Sequence, residues 1–266
     1  MTESPTTIDS AMGHHWDDVY ETSPEARERE WHVTSAMTFA RTHSHVTRAL
    51  EACERGVVCD VGCGSSALGA EALRAYGARE RASARGVQKV ILCDRSSVVI
   101  DILRQRYKGE ERIECVMCDA RACEGAVASG TVACAFEKGS LDAMCSDDDR
   151  RAMLREMKRM CARDGVIVSV SFASAKRFAW LSRETEREAL GWRFAVVAKG
   201  DPARGHAAVF VSVMYKKESE IMAGVPFVSD ALTEMCVERM KASGSLYEDA
   251  DDGEYPRLDF SEDDGF

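Results

Sequence analysis

The residues best placed to do chemistry in this chain are the run Val57-Val58-Cys59-Asp60-Val61-Gly62-Cys63-Gly64-Ser65-Ser66-Ala67-Leu68. Its apolar start predicts a buried strand, and a helical pattern follows from Leu68 to Tyr76. Glycines between strand and helix let the backbone turn sharply and approach a ligand that a side chain would block. The free N–H groups of the new helix then point at that ligand. Acids recur at similar places. Asp94 ends the apolar run Gln88 to Cys93, Asp119-Ala120 closely follows Ile113 to Met117, and Glu137-Lys138 follows Val132 to Phe136. Ligands of open α/β sheets bind beyond the carboxyl ends of the strands, so these four groups are expected to converge.

Such an end suits a nucleoside cofactor. The Asp94 carboxylate can accept two hydrogen bonds from a ribose diol, and Asp119 is placed to bind an adenine amino group. Asp60, two residues before Gly62, narrows the class. That position is usually apolar in dinucleotide sites and acidic in S-adenosylmethionine sites, whose ligand carries an ammonium and a sulfonium. One rival fits part of the pattern, because Gly62-x-Gly64-x-x-Ala67 also satisfies the dinucleotide fingerprint and Asp94 could bind an NAD ribose. Against NAD stand Asp60, the Asp119-Ala120 pair, a closing hairpin and the lack of a separate catalytic domain.

The elements that must position these groups alternate along the chain. Helices are expected over Thr34 to Arg55, Leu68 to Tyr76, Ser97 to Tyr107, Ser146 to about Ala162, and Ala175 to Leu190. Ser146 followed by three aspartates suits a helix N-terminus, and Asp164-Gly165 reads as its stop. Strands follow at Val166 to Phe172, Phe194 to Ala198 and Ala207 to Tyr215, the last two joined by a Gly/Pro/Gly-containing loop. The fold class is α/β: a doubly wound, seven-stranded, mostly parallel sheet with a C-terminal antiparallel hairpin. The domain reading is a flexible lead over 1–13, a catalytic domain over 14–217, and an extension over 218–245 with a short helix. An acidic tail over 246–266 completes it.

Composition excludes several classes. The chain has 266 residues, 45% hydrophobic, enough for one substantial core. No run reaches the ~18 to 20 apolar residues a membrane helix needs. The first twenty-six residues carry six acids and no Arg or Lys, which argues against a secretory or transit peptide and for a cytoplasmic protein. Eleven scattered cysteines read as free thiols in a reducing compartment. Cys115-x-x-Cys118 with Cys123 lacks a second pair or a His cluster, so no metal site is expected, and His14-His15 read as linker residues. From Glu248 onward nine acids face one basic residue, Arg257, so the other 247 residues carry only −2 of the net −10. A body of that charge is not a nucleic-acid binder, and the tail is expected to be disordered.

The motifs in order resemble those of the seven-strand S-adenosylmethionine-dependent methyltransferases. Within these the chain resembles the lysine methyltransferases that modify translation elongation factor 1-alpha. The resemblance covers roughly residues 15 to 217. It rests on His15-Trp16-Asp17-Asp18-Val19-Tyr20, Glu30-Trp31, the glycine turn, Asp94-Arg95-Ser96-Ser97-Val98-Val99-Ile100 and Val211-Ser212-Val213-Met214-Tyr215-Lys216. Its most specific segment is Glu137-Lys138-Gly139-Ser140-Leu141-Asp142-Ala143. His15, Val19 and Ser140 depart from the family's Tyr, Arg and Thr. The resemblance implies that Trp16, Tyr20 and Trp31 line the methionine end of S-adenosylmethionine. It implies that Asp60, Gly62, Gly64, Asp94, Arg95, Asp119, Ala120 and Lys138 bind the rest. Glu137 is the candidate catalytic residue, orienting a lysine ε-amine or shedding its proton. The structural alternatives are aromatics that merely pin the N-terminal segment, and a Glu137 paired with Lys138 or an arginine. The expected partner is a protein substrate met by a monomer, with no nucleic acid and no membrane. A small-molecule methyltransferase and a non-catalytic cofactor-binding module remain alternatives.

Overall fold

The structure, a computed structural model, describes residues 15–28, 30–77, 86–173, 175–198, 208–225, 227, 229 and 231–242. Expectations for the lead, for the hairpin loop and for the acidic tail lie outside these residues.

Seven strands make one sheet: β1 (Val57–Val61), β2 (Lys89–Asp94), β3 (Ile113–Met117), β4 (Val132–Lys138), β5 (Cys161–Ala173), β6 (Leu190–Ala198) and β7 (Ala208–Lys216). Their spatial order is β3-β2-β1-β4-β5-β7-β6. Strands β1 to β5 pair in parallel, and β7 runs antiparallel to both its neighbours. The chain order reverses between β1 and β4, which puts the topological switch beside the glycine turn. A short helix α1 spans 15–22. The helices that follow are α2 (Ser35–Ala52), α3 (Leu68–Tyr76), α4 (Ser97–Arg106), α5 (Ser140–Ala143), α6 (Asp147–Met160), α7 (Ala175–Arg187), α8 (Glu220–Ala223) and α9 (Ala231–Ala242).

Two apolar layers cover the sheet. Leu50 of α2, Leu68 and Leu73 of α3, and Ile100 and Leu103 of α4 pack on one face with Val58, Leu92 and Phe136. Met153 and Met157 of α6, with Phe178 and Leu181 of α7, pack on the other with Val61, Ile91 and Phe210. Strand residues therefore alternate between two buried faces, as a doubly covered sheet requires. Thr34, Ser96 and Ser146 each accept the N–H three residues on and start α2, α4 and α6. Among the described residues no helix is long and apolar enough to cross a membrane.

Two boundaries differ from expectation, each for a local reason. Helix α6 stops at Met160, because β5 begins five residues before Val166. The pairing steps from Val132↔Cys161 to Cys134↔Val166, so β5 bulges over 162–165. The Asp164-Gly165 signal marks this bulge, where a Cβ on Gly165 would stand 2.7 Å from the Val132 carbonyl oxygen. Strand β6 also begins early, at Leu190. Gly191 sits opposite Tyr215, whose ring covers it at 2.4 Å from where a Cβ would lie. This glycine is the seat of a cross-strand aromatic.

Candidate active site

The glycine turn is left-handed twice, at Gly62 (φ +65°) and Gly64 (φ +50°), a conformation glycine adopts without strain. A Cβ on Gly62 would meet the Ser140 Cβ at 2.8 Å, and one on Gly64 would meet the Tyr20 hydroxyl oxygen at 2.6 Å. The turn is thus gripped from the β4 end and from the N-terminal segment. Asp60 lies beneath it, 1% exposed. Its Oδ2 accepts the Gly69 N–H at 3.0 Å, satisfying an amide of the first turn of α3. Burial pushes its carboxyl up to about 7, against the pull of Lys138. Asp60 therefore supports the turn through the first turn of α3.

Asp94 closes β2. Its Oδ2 accepts the Gly64 N–H and its Oδ1 the Ser96 N–H, both at 2.9 Å. Each oxygen keeps a further lone pair, so a ribose diol can still be accepted. Burial raises its pKa despite these hydrogen bonds. Asp119 follows β3 and is clasped by Arg121, whose Nη2 donates to Oδ2 at 2.6 Å and whose Nη1 reaches Asp149 at 2.6 Å. Burial would raise the Asp119 pKa, but the Arg121 hydrogen bonds hold it below the ordinary value, with help from nearby Arg95. An adenine amino group would share Asp119 with Arg121, a partner that the sequence reading did not foresee. Ala120, beside it, is buried.

The aromatics come together. The Trp16 ring lies 6.2 Å from Tyr20 and 6.0 Å from Trp31, edge-on to the latter. Tyr20 is buried against Gly64, and desolvation raises its phenol pKa. Trp16 and Trp31 keep partial exposure. The segment from 15 to 34 is held by polar ties that sequence reasoning missed. Asp17 Oδ1 accepts the Ser96 hydroxyl at 2.6 Å and the Val98 N–H at the start of α4. Glu30 Oε1 accepts the Ala67 N–H at 2.9 Å at the start of α3. Arg106 of α4 donates to the carbonyls of Ser65 and Arg27 at 2.7 and 2.8 Å. Asp17 and Glu30 did stand in the quoted motifs, and carboxylates are favoured at helix N-termini; nothing marked Arg106.

The end of β4 completes the site. Lys138 is buried and paired with Glu30, and its Nζ also donates to the Val33 carbonyl at 3.3 Å. It binds the N-terminal segment, so its contribution to a cofactor is to hold that wall. Glu137 is 0% exposed. One carboxylate oxygen takes the Ser169 hydroxyl and the other the Leu141 N–H at 3.1 Å. Burial pushes it up to about 7. So placed, Glu137 holds the start of α5 and ties it to β5. The Ser140 hydroxyl donates to the Gly62 carbonyl at 2.8 Å. Asp142 receives the Phe172 N–H at 3.1 Å and the Arg177 Nε at 3.0 Å, with His32 Nε2 at 3.4 Å. Its side chain keeps 12% exposure.

A glycine cradle, two carboxylates at neighbouring strand ends and an aromatic wall fit a nucleoside bearing a cationic sulfur. Residues 58–165 match the family model described as a methyltransferase domain. The structure is similar to 1,6-didemethyltoxoflavin-N1-methyltransferase of Burkholderia thailandensis, solved with 1,6-didemethyltoxoflavin and S-adenosylhomocysteine bound. That likeness has 16% identity over 81% of this chain and 92% of that one, with a TM-score of 0.55. It is similar also to a protein of Methanococcus maripaludis described as an S-adenosyl-L-methionine-dependent methyltransferase. Identity there is 13% over 83% of this chain and 99% of that one, with a TM-score of 0.50. At these identities the likeness is one of fold. A search of curated proteins gave no match. The family match spans β1 into β5, the strands that carry the glycine turn and the acids, so this part of the chain is similar to a methyltransferase domain whose site fits S-adenosylmethionine.

Proposed function

We propose that this enzyme methylates a lysine ε-amine of a protein, with translation elongation factor 1-alpha as the first candidate. The observation that carries the reading is the use made of Glu137-Lys138-Gly139-Ser140-Leu141-Asp142-Ala143, the segment by which the sequence resembles those lysine methyltransferases. Three of its polar residues engage the walls of the site: Ser140 the glycine turn, Lys138 the N-terminal segment, Asp142 the His32–Arg177 pair. The same N-terminal segment carries the other part of the resemblance, Trp16 to Trp31.

Bound S-adenosylmethionine supplies an electrophilic methyl group on a cationic sulfur. The chain's own residues position and desolvate. Gly62 and Gly64 allow close approach, and Asp94 and Asp119 present acceptors. Trp16 and Trp31 offer ring faces to a cation, an attraction of ~0.5 to 2 kcal/mol. A lysine attacks only as the neutral amine, and an aromatic wall favours that form by desolvation. Positioning then supplies most of the rate. Asp142, which keeps some exposure, is the carboxylate that orients the amine in this reading, and Glu137 holds the turn that carries it. Among the described residues no domain is inserted between β4 and β7, in keeping with a macromolecular substrate. A cytoplasmic, reducing setting suits a chain with eleven scattered cysteines.

The test is transfer of labelled methyl from S-adenosylmethionine into a cell extract, followed by mass mapping of the product. A labelled protein modified on lysine supports the reading. Label confined to small molecules, or bound cofactor with no transfer at all, contradicts it.

A further inference from the structure

The cofactor end of the sheet brings together side chains that play no part in methyl transfer, its sulfurs. Cys93 near the end of β2, Cys118 just after β3 and Cys123 in the next turn place their Sγ atoms all within 4.8 Å of one another. Cys118 and Cys123 stand 3.3 Å apart, and Cys59 of β1 lies 3.4 Å from Cys93. We propose that Cys93, Cys118 and Cys123 form a three-thiolate site for a thiophilic d10 cation of the zinc class, with Cys59 as the adjacent fourth sulfur.

Thiolates held ~2.3 Å from a common ion in tetrahedral geometry stand ~3.8 Å from one another, so small rotations about the Cα–Cβ bonds close the set. Sequence spacing hid it. Cys115-x-x-Cys118 looked like the natural pair, but Cys115 packs with the core on the α2–α4 face of the sheet, and Cys118 with that on the other. Cys93 takes its place from a neighbouring strand. The backbone around the set is already fixed. The Cys118 N–H donates to the Asp94 carbonyl at 2.9 Å. The Cys123 N–H donates to Glu156 Oε1 at 2.7 Å, and Arg159 pairs with that carboxylate. Cys93 and Cys123 are buried and Cys118 half-buried, which leaves one side for entry. Three thiolates and a divalent ion leave one negative charge, which Arg159, close enough to interact with Cys123, offsets. Each thiol releases its proton to solvent on coordination. An isolated buried cysteine behaves as a small hydrophobe; three from separate segments meeting at one point need not. A bound ion would clamp Asp119 and Ala120 to the strand end that carries Asp94.

The test uses the full chain, reduced and stripped with a chelator, and titrates it with Cd2+ and then Zn2+. The expected result is a thiolate-to-cadmium charge-transfer band that saturates at one equivalent and yields only to a large excess of Zn2+, since soft thiolates prefer Cd2+. Cys118→Ser, at a half-buried position, weakens Cd2+ at least about tenfold, and Cys145→Ser, at an exposed one, leaves it unchanged. Cys93→Ser and Cys123→Ser remove core groups, so Cys118→Ser is the deciding variant, read after circular dichroism shows it folded. Absence of a saturable band, or a band of unchanged affinity in Cys118→Ser, overturns the site.

Discussion

The two ends of this sheet are held together by different forces. At the glycine end, side chains reach polar groups far along the chain: Asp17 the Ser96 hydroxyl and the Val98 N–H, Glu30 the Ala67 N–H, Arg106 the Ser65 and Arg27 carbonyls. At the hairpin end Phe178, Trp192, Phe194 and Phe210 pack on one another, with Phe178 4.2 Å from Phe194 and edge-on to it. A hydrogen bond contributes a net ~0.5 to 1.5 kcal/mol, whereas a buried aromatic contributes several times that. The difference teaches where to look for function and where for stability. Damage to the hairpin end unfolds the protein; damage to the glycine end leaves a folded protein with a poorer site.

Phe210→Ala gives the largest effect expected. Phe210 is 0% exposed and touches both Phe178 and Phe194, so its loss costs ~3 to 5 kcal/mol in urea unfolding. The folded fraction binds S-adenosylhomocysteine as before. A loss below about 1 kcal/mol would dissolve the contrast between the two ends. Lys138→Ala has the opposite signature. It leaves Glu30 without its cationic partner and cuts the tie to Val33, lowering cofactor affinity at least about tenfold for a stability loss of ~1 to 2 kcal/mol.

The buried acids sharpen the comparison through pH. Burial carries Asp60 and Glu137 up to about 7. Between about pH 4 and 7 the unfolded chain releases these protons first, so rising pH favours unfolding. Stability is full below the ordinary carboxylate range and is lost through about pH 7, at up to ~1.4 kcal/mol per pH unit for each group. Glu137→Gln flattens part of that slope, measured by urea unfolding at several pH values. Ser140→Ala, which removes one hydroxyl from the Gly62 carbonyl, is the smallest change, at ~1 kcal/mol. Ser140→Thr keeps the hydroxyl and restores it.

What was legible in the sequence was local. Strand, glycine turn and helix succeed one another within Val57 to Tyr76, so their geometry follows from neighbours, as do Asp94 and Asp119 at their strand ends. The seven strands and the closing hairpin were legible from alternation, but their spatial order was not. The polar ties were not legible either, because Asp17 and Ser96 lie 79 residues apart and Glu30 and Ala67 lie 37 apart. Asp119 read as an open acceptor because nothing local showed that Arg121 would fold back on it. Glu137 read as catalytic because a strand end can face either the site or the core. In the fold its carboxylate is shared between Ser169 of β5 and the first turn of α5, contacts no local pattern announced.

The central claim is that the N-terminal segment and the glycine turn form one cofactor site, joined through Glu30. Calorimetric titration of S-adenosylhomocysteine into wild-type protein and Glu30→Ala tests it most directly. A fall in affinity of at least about tenfold, with the melting temperature nearly unchanged, is the predicted result. Equal affinity in the two proteins would contradict the claim.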